Sequence, residues 1–306
     1  MRAIVSHDAG GAEVLSSYVR AHPAPSCYVL GGPARQVFER KLGPLTVSTI
    51  SAALETSDEL LCGTGWQSTL EIDAIAHFRT RGMRTVAFLD HWVNYAERFV
   101  RNGQLCLPDE IWVGDSDAER LAVAAFPSTV VRLEPNLHFQ EVRQEFLAIA
   151  GGGPLRTTGT SVLYVTEPIR EHGKLKFGDE RYFGYTEEDS LRYFLSNSAA
   201  VDPWISSITI RSHPAESAGK YRWALTEFSL PIVEGGSRAL VSEIADADIV
   251  VGCESMALVV ALLGGKRVVS CIPPGGHRCA LPHREIEHLQ DLLVTHGSPQ
   301  GVRVSE

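Results

Sequence analysis

Short apolar runs alternate with stretches of helical period along nearly the whole chain. Strands are predicted at Arg2–Ser6, Cys27–Leu30, Glu59–Cys62, Arg84–Leu89, Glu110–Val113 and Val130–Leu133. Several of these runs lack polar alternation, which is the pattern of strands covered on both faces in a parallel sheet. Helices fill the gaps. Ser68-Thr69-Leu70-Glu71 and Ser116-Asp117-Ala118-Glu119 have the spacing of a capping box, and the second of these helices should stop at Pro127. Strands alternating with helices predict right-handed βαβ units in a doubly wound sheet.

Near Ala150 the pattern breaks. Residues 150–160 are short of apolar side chains and rich in Gly and Thr, a linker's composition. A new strand then starts at Ser161–Val165, and the alternation resumes. It predicts a helix at Glu187–Ser196, a strand at Ile205–Arg211 and helices at Ala218–Phe228 and Leu240–Ala245. A strand at Ile249–Gly252, a helix at Met256–Leu263, a strand at Arg267–Ile272 and a helix at Arg284–Leu293 complete it. The chain reads as α/β: two Rossmann-like doubly wound parallel-sheet domains, residues 1–150 and 151–306, facing a central cleft.

Length supports that division, since 306 residues suit two domains of about 150 each. With 44% hydrophobic and 21% charged residues the balance is globular, which excludes disordered and fibrous classes. The net charge of -9, with no block of Lys or Arg, excludes a nucleic-acid partner, because no basic stripe is present to displace phosphate counterions. An anionic small molecule is still compatible, since amides at helix starts attract phosphate whatever the total charge. The six cysteines are scattered without a CxxC pair and read as buried apolar residues in a reducing compartment. The opening MRAIVSHDAGG lacks a secretory pattern, and no apolar run approaches the ~18 residues that span a bilayer. A cytoplasmic protein with no integral membrane segment is expected, and a homo-oligomer stays open.

Polar clusters collect where strands end. His7-Asp8-Ala9-Gly10-Gly11 follows the first strand, where glycines allow a tight turn and a close approach to a ligand. His7 and Asp8 sit where a general base is useful, although Asp8 as a plain helix cap fits the same spacing. Gly63-Thr64-Gly65-Trp66 closes another strand, with Trp66 placed either to stack on a sugar or base or to join the core. Asp90-His91-Trp92 follows a third strand and reads as a substrate-contacting loop. Asp115-Ser116-Asp117 has the look of a metal-binding DxD, but helix capping accounts for it, and His277, Cys279, His283 and Cys271 fit no common zinc spacing. No metal site is assigned.

In the second half, Pro214 holds His213 extended at a strand end, where its imidazole can donate to phosphate. Gly252-Cys253-Glu254-Ser255 forms the turn between a strand and a helix, with Ser255 placed as the cap. The helix amides and the Ser255 hydroxyl make a phosphate site, beside which Glu254 is better suited to ribose hydroxyls than to phosphate.

The strand–His213–Pro214 element and the segment from Ala247-Asp248 through Ser255 to Gly265-Lys266-Arg267-Val268 resemble the donor domain of GT-B-type glycosyltransferases. Families similar in this way include capsule and polysialic-acid-type transferases, CDP-glycerol glycerophosphotransferases and UDP-sugar 2-epimerases. In the CMP- and CDP-dependent members a His-Pro motif and a Ser at a helix start hold the nucleotide phosphates, roles that fall here to His213 and Ser255. The resemblance implies a metal-independent glycosyltransferase of polysaccharide biosynthesis, with no cofactor beyond its nucleotide-sugar donor. It would move a sugar or related group from a CMP-, CDP- or UDP-linked donor to a hydroxyl of a small-molecule or glycan acceptor. Thr166, Glu167, His213, Glu254, Ser255 and Met256 would bind the donor. Asp8 would be the first choice of base, with His7 or His91 as substitutes, and Gly10, Gly11, Trp66, Asp90 and Trp92 would line the acceptor side. A UDP-sugar 2-epimerase or nucleotide-sugar hydrolase would use the same residues without an acceptor. A non-catalytic binding protein would also show two α/β lobes, but the His/Asp-rich first loop argues against it.

Overall fold

The computed structural model describes residues 1–65, 68–150 and 159–297. The chain divides into two compact units, Met1–Gln140 and Glu141–Glu306. Among the described residues no helix is long and apolar enough to cross a membrane.

The first unit runs β1 (Arg2–Ser6), α1 (Ala9–Ala21), β2 (Ser26–Leu30), α2 (Ala34–Leu42), α3 (Ile50–Thr56), β3 (Glu59–Cys62), α4 (Leu70–Thr80) and β4 (Arg84–Leu89). A small antiparallel hairpin of β5 (Val100–Arg101) and β6 (Gln104–Leu105) follows, then β7 (Glu110–Val113), α5 (Ser116–Ala125) and β8 (Val130–Leu133), and α6 (Leu137–Ala150) carries the chain past Gln140 from the first unit into the second. Six strands form one parallel sheet in the order β2-β1-β3-β4-β7-β8. Ala3, Ile4 and Val5 of β1 are fully covered, as are Leu60 and Cys62 of β3, so the unbroken apolar runs mark strands with helices on both faces. Ile4, Leu15, Phe38, Leu61 and Phe88 anchor one core layer. Each such side chain, fully buried, contributes about 1.5–3 kcal/mol.

The second unit repeats the plan. Its elements are β9 (Thr160–Val165), α7 (Ile169–Phe177), α8 (Glu187–Ser196), α9 (Ser198–Val201), β10 (Ile205–Arg211), α10 (Trp223–Glu227) and β11 (Ile232–Glu234). They continue with α11 (Leu240–Asp246), β12 (Ile249–Gly252), α12 (Met256–Leu263), β13 (Arg267–Ser270), β14 (Ile286–His288) and α13 (Leu289–Gly297). The strand order is β11-β10-β9-β12-β13-β14, again all parallel. Tyr164, Leu191, Phe194, Ile210 and Val251 form the centre of its core.

Strand order locates the ligand positions. In the first unit the chain steps from β1 to β2 on one side and then crosses back to β3 on the other. In the second it steps from β9 through β10 to β11, then crosses to β12. The crevices beyond the carboxyl ends of β1 and β3, and of β9 and β12, are therefore topological switch points, where open α/β sheets bind ligands.

Local expectations fail at several places. Helix α5 is capped by Asp115, whose carboxylate accepts from Ala118 N–H, so Ser116 is already helical. Helix α4 is entered at Thr69 without a side-chain cap, while Ser68 Oγ accepts from Leu70 N–H at 3.1 Å. The helix predicted over Ala218–Phe228 is reduced to α10, because residues before it make tight turns around Glu216. The helix predicted over Arg284–Leu293 starts late: Ile286 pairs with Val268, and Ile286–His288 is an edge strand.

Candidate functional site

The first switch point gathers side chains around the start of α1. His7 Nδ1 lies 2.8 Å from Asp8 Oδ1, with both side chains mostly covered. The His7 ring packs on the backbone of Gly31 and Gly32, where a Cβ would come within 2.9 and 2.7 Å of it. Asp90 Oδ2 sits over Gly10, 2.2 Å from where a Cβ would be, so any side chain at Gly10 displaces that carboxylate. Gly11 lies against Gly63 and Thr64, bringing α1 close to the end of β3. Asp90 Oδ1 accepts from Thr64 Oγ1 and from Arg98 Nη1, both at 3.3 Å, and Arg98 is itself buried. His7, Asp8, Gly10 and Asp90 are thus brought together, while Gly11, expected on the acceptor side, is buried in the packing of α1 on the end of β3.

Glu71, whose spacing from Ser68 suggests a capping partner, belongs to the same cluster. It is 4% exposed. Its Oε1 accepts the His7 backbone N–H at 2.6 Å, while Oε2 has no hydrogen-bond partner among the described residues and approaches the same side of Gly65 as Asp8. Burial, with the Asp8 charge adding to it, pushes the Glu71 carboxyl up to about 7 despite the backbone N–H groups that favour its ionised form. The sequence shows it only as a Glu in the first turn of α4, at capping-box spacing from Ser68.

Two first-unit expectations are corrected. Trp92 is 6% exposed, donates from Nε1 to Asp115 Oδ2 at 2.9 Å and stacks on Phe139. It is a core residue and cannot lie against a substrate, and Asp115 is spent on Trp92 and on capping α5. His91 turns back on the chain, its Nδ1 accepting from Trp92 N–H at 3.0 Å. Trp66 lies outside the described residues.

At the second switch point, His213 is fixed in one tautomer. Its Nδ1 accepts from Ala215 N–H at 3.1 Å, so the neutral ring carries its proton on Nε2. Burial lowers its pKa, with Glu216 opposing, so the ring is neutral near pH 7 and Nε2–H is a donor. His172 on α7 lies near it, lowered by burial and by His213 itself. Ser255 caps α12 as predicted: its Oγ accepts from Ala257 N–H at 3.2 Å, which leaves the hydroxyl proton to donate. Met256 opens the helix.

The remaining second-unit candidates hold the scaffold. Thr166 is 5% exposed, and its hydroxyl donates to Glu216 and accepts from His213 N–H at 2.8 Å. It positions the His213 loop and is not open to a ligand, contrary to expectation. Glu216, missed in the sequence, also accepts from His213 N–H at 2.9 Å, Lys220 Nζ at 3.0 Å and the Tyr221 hydroxyl. Its spacing, three residues after His213 across Pro214, is that of a side chain closing a turn. Glu254 accepts from His277 Nε2 and Ala280 N–H, both at 3.1 Å, and so faces the 277–280 segment. Glu167 Oε1 accepts from Glu254 N–H at 2.8 Å, which puts a carboxylate in the turn assigned to phosphate.

No protein-family model and no curated protein matches the sequence. Solved structures do match its fold. The glycotransferase of kitacinnamycin superposes with a TM-score of 0.51 at 14% identity, over 97% of this chain and 84% of that one. MnaA of S. aureus, solved with UDP, gives a TM-score of 0.57 at 10% identity, over 88% of this chain and 78% of that one. The chain has the fold of these proteins: two Rossmann-like domains of the GT-B type.

Proposed function

We propose that the chain is a glycosyltransferase-like enzyme that moves a sugar or related group from a nucleotide-activated donor to an acceptor hydroxyl, without a metal ion. The observation that carries this reading is the pair of neutral donors at the second switch point. His213 Nε2–H and the Ser255 hydroxyl, backed by the start of α12, are the groups that suit a phosphate. Fold likeness to a glycotransferase and to a UDP-bound protein supports the same ligand class.

In this reading the second unit holds a CMP-, CDP- or UDP-linked donor and the first unit activates the acceptor. The Asp8 carboxylate holds Nδ1–H of His7, so His7 Nε2 takes the proton from the acceptor hydroxyl. That makes His7 the base and Asp8 its orienting partner, the reverse of the order read from the sequence. The acceptor oxygen bonds to the donor carbon, the bond from that carbon to phosphate breaks, and its electron pair leaves with the nucleotide. His213 and Ser255 hydrogen bonds stabilise that developing charge.

The test is nucleotide release from CMP-, CDP- and UDP-linked sugars, with water as the fallback acceptor, in buffer containing EDTA. One donor class should turn over under these conditions and cease to do so in His213→Ala. Turnover that requires added magnesium would contradict the metal-free step, and no turnover of any donor would contradict the reading.

A further inference from the structure

The turn after β12 faces two carboxylates, the wrong charge for a phosphate. They are not equivalent. Glu254 has the His277 imidazole as a partner at 3.1 Å, and that pairing raises the His277 pKa. Among the described residues Glu167 is held by backbone: Glu254 N–H donates to it at 2.8 Å, and the N–H groups of Ser255 and Cys253 face the same carboxylate. An anion seated on the amides that open α12 occupies the position where an incoming phosphate would be stabilised.

We propose that Glu167 is a protonatable positioning residue of the donor site: as a carboxylate it holds the N–H groups of the 253–255 turn itself, and it yields them to the donor's phosphate by taking a proton from solvent. The inference rests on the donor-site reading above. Once protonated, the carboxyl removes a like charge and offers an O–H to a phosphate oxygen. Burial, with Glu254 adding like-charge repulsion, pushes the Glu167 carboxyl up to about 7, so the exchange falls in the physiological range.

The other titratable groups facing Glu167, which follows β9, are Cys253 and Glu254 on the turn after β12, Tyr185 before α8, Cys271 after β13, and His277 and Cys279. Burial moves Tyr185, Cys253 and Cys279 upward, away from neutrality. The histidines His277 and His213 titrate closer to it and need a control.

Sulfate is the probe, because it stays a dianion throughout the range used. Its binding is followed through the backbone amide resonances of Cys253, Glu254 and Ser255 at pH 6 and pH 8. Wild type should bind about tenfold more tightly at pH 6, the linkage expected of one carboxyl with a midpoint near 7. Glu167→Gln should lose most of that pH dependence and match wild type at pH 6. Calorimetry of wild type and of the His277→Asn variant at pH 7, in two buffers of different ionisation enthalpy, should show proton uptake on sulfate binding, and Glu167→Gln should lose that uptake. Equal wild-type affinity at the two pH values, unchanged pH dependence in Glu167→Gln, no uptake, or no sulfate response of these amides would each overturn the proposal. Failure of nucleotides to bind while the sulfate linkage stands would overturn the donor reading alone.

Discussion

Replacing His7 with alanine is expected to lower turnover about 10²–10⁴-fold, the contribution of a positioned general base, while nucleotide binding stays within a few-fold of wild type. The ring is already oriented: Asp8 fixes Nδ1 at 2.8 Å, Gly31 and Gly32 support one face, and Glu71 holds the His7 backbone N–H at 2.6 Å. Asp8→Asn should cost a large part of the same factor, because an amide can hold the ring in the wrong tautomer. His91→Ala should cost far less, since its Nδ1 is occupied by the Trp92 N–H. The measurement is kcat and KM for the donor that turns over, in all three variants. A larger loss in His91→Ala than in His7→Ala would move the base to the Asp90 loop.

Glu216→Ala should destabilise the protein by about 3–5 kcal/mol, as expected when one member of a buried ion-pair network is removed. The Glu216 side chain is fully covered, and it accepts from Thr166, Tyr221, Lys220 and His213 N–H at once. Burial opposes its ionisation, yet those hydrogen bonds outweigh burial and hold its carboxyl below the ordinary range. The sign follows. A depressed folded-state value gives stability that is present above the unfolded carboxylate range and is lost as pH falls through the folded value. Denaturant unfolding should therefore show wild type losing stability at the acid end, with a smaller acid-side slope in Glu216→Ala. The variant should also lose nucleotide affinity, because Thr166 and Glu216 together hold the His213 backbone. A variant as stable as wild type at neutral pH would show that the network carries no net stability.

The strands were legible because their burial is two-sided. β1, β3, β4, β7 and β12 are unbroken apolar runs, and such runs carry the parallel α/β plan directly. The edge strands β11 and β14 went unread, being three residues long and lacking that signature. The switch-point loops were legible for a related reason: polar residues directly after buried strands have few structural duties, and His7, Asp8, Asp90, His213 and Ser255 stand there. What the sequence hides is which polar groups are spent on the fold. Trp92 has the composition of a stacking residue, but its indole is committed to Asp115 and Phe139. Thr166 follows a strand just as Asp8 does, yet its hydroxyl is consumed by Glu216 and His213. Glu71 and Glu216 act on loops that precede them in sequence: local spacing places one at a helix start and the other at a turn, but does not name the backbone N–H of His7 or His213 that each holds.

The most direct test of the account is nucleotide binding at the second switch point. Melting temperatures of wild type and His213→Ala should be compared with CMP, CDP, UDP, GDP and ADP, each with EDTA and with magnesium. The account predicts that CMP, CDP or UDP raises the wild-type melting temperature equally in EDTA, by an amount equivalent to about 2.7 kcal/mol at a hundredfold excess over Kd, and that His213→Ala abolishes the shift. No shift with any nucleotide, or a shift that survives in His213→Ala, would contradict it.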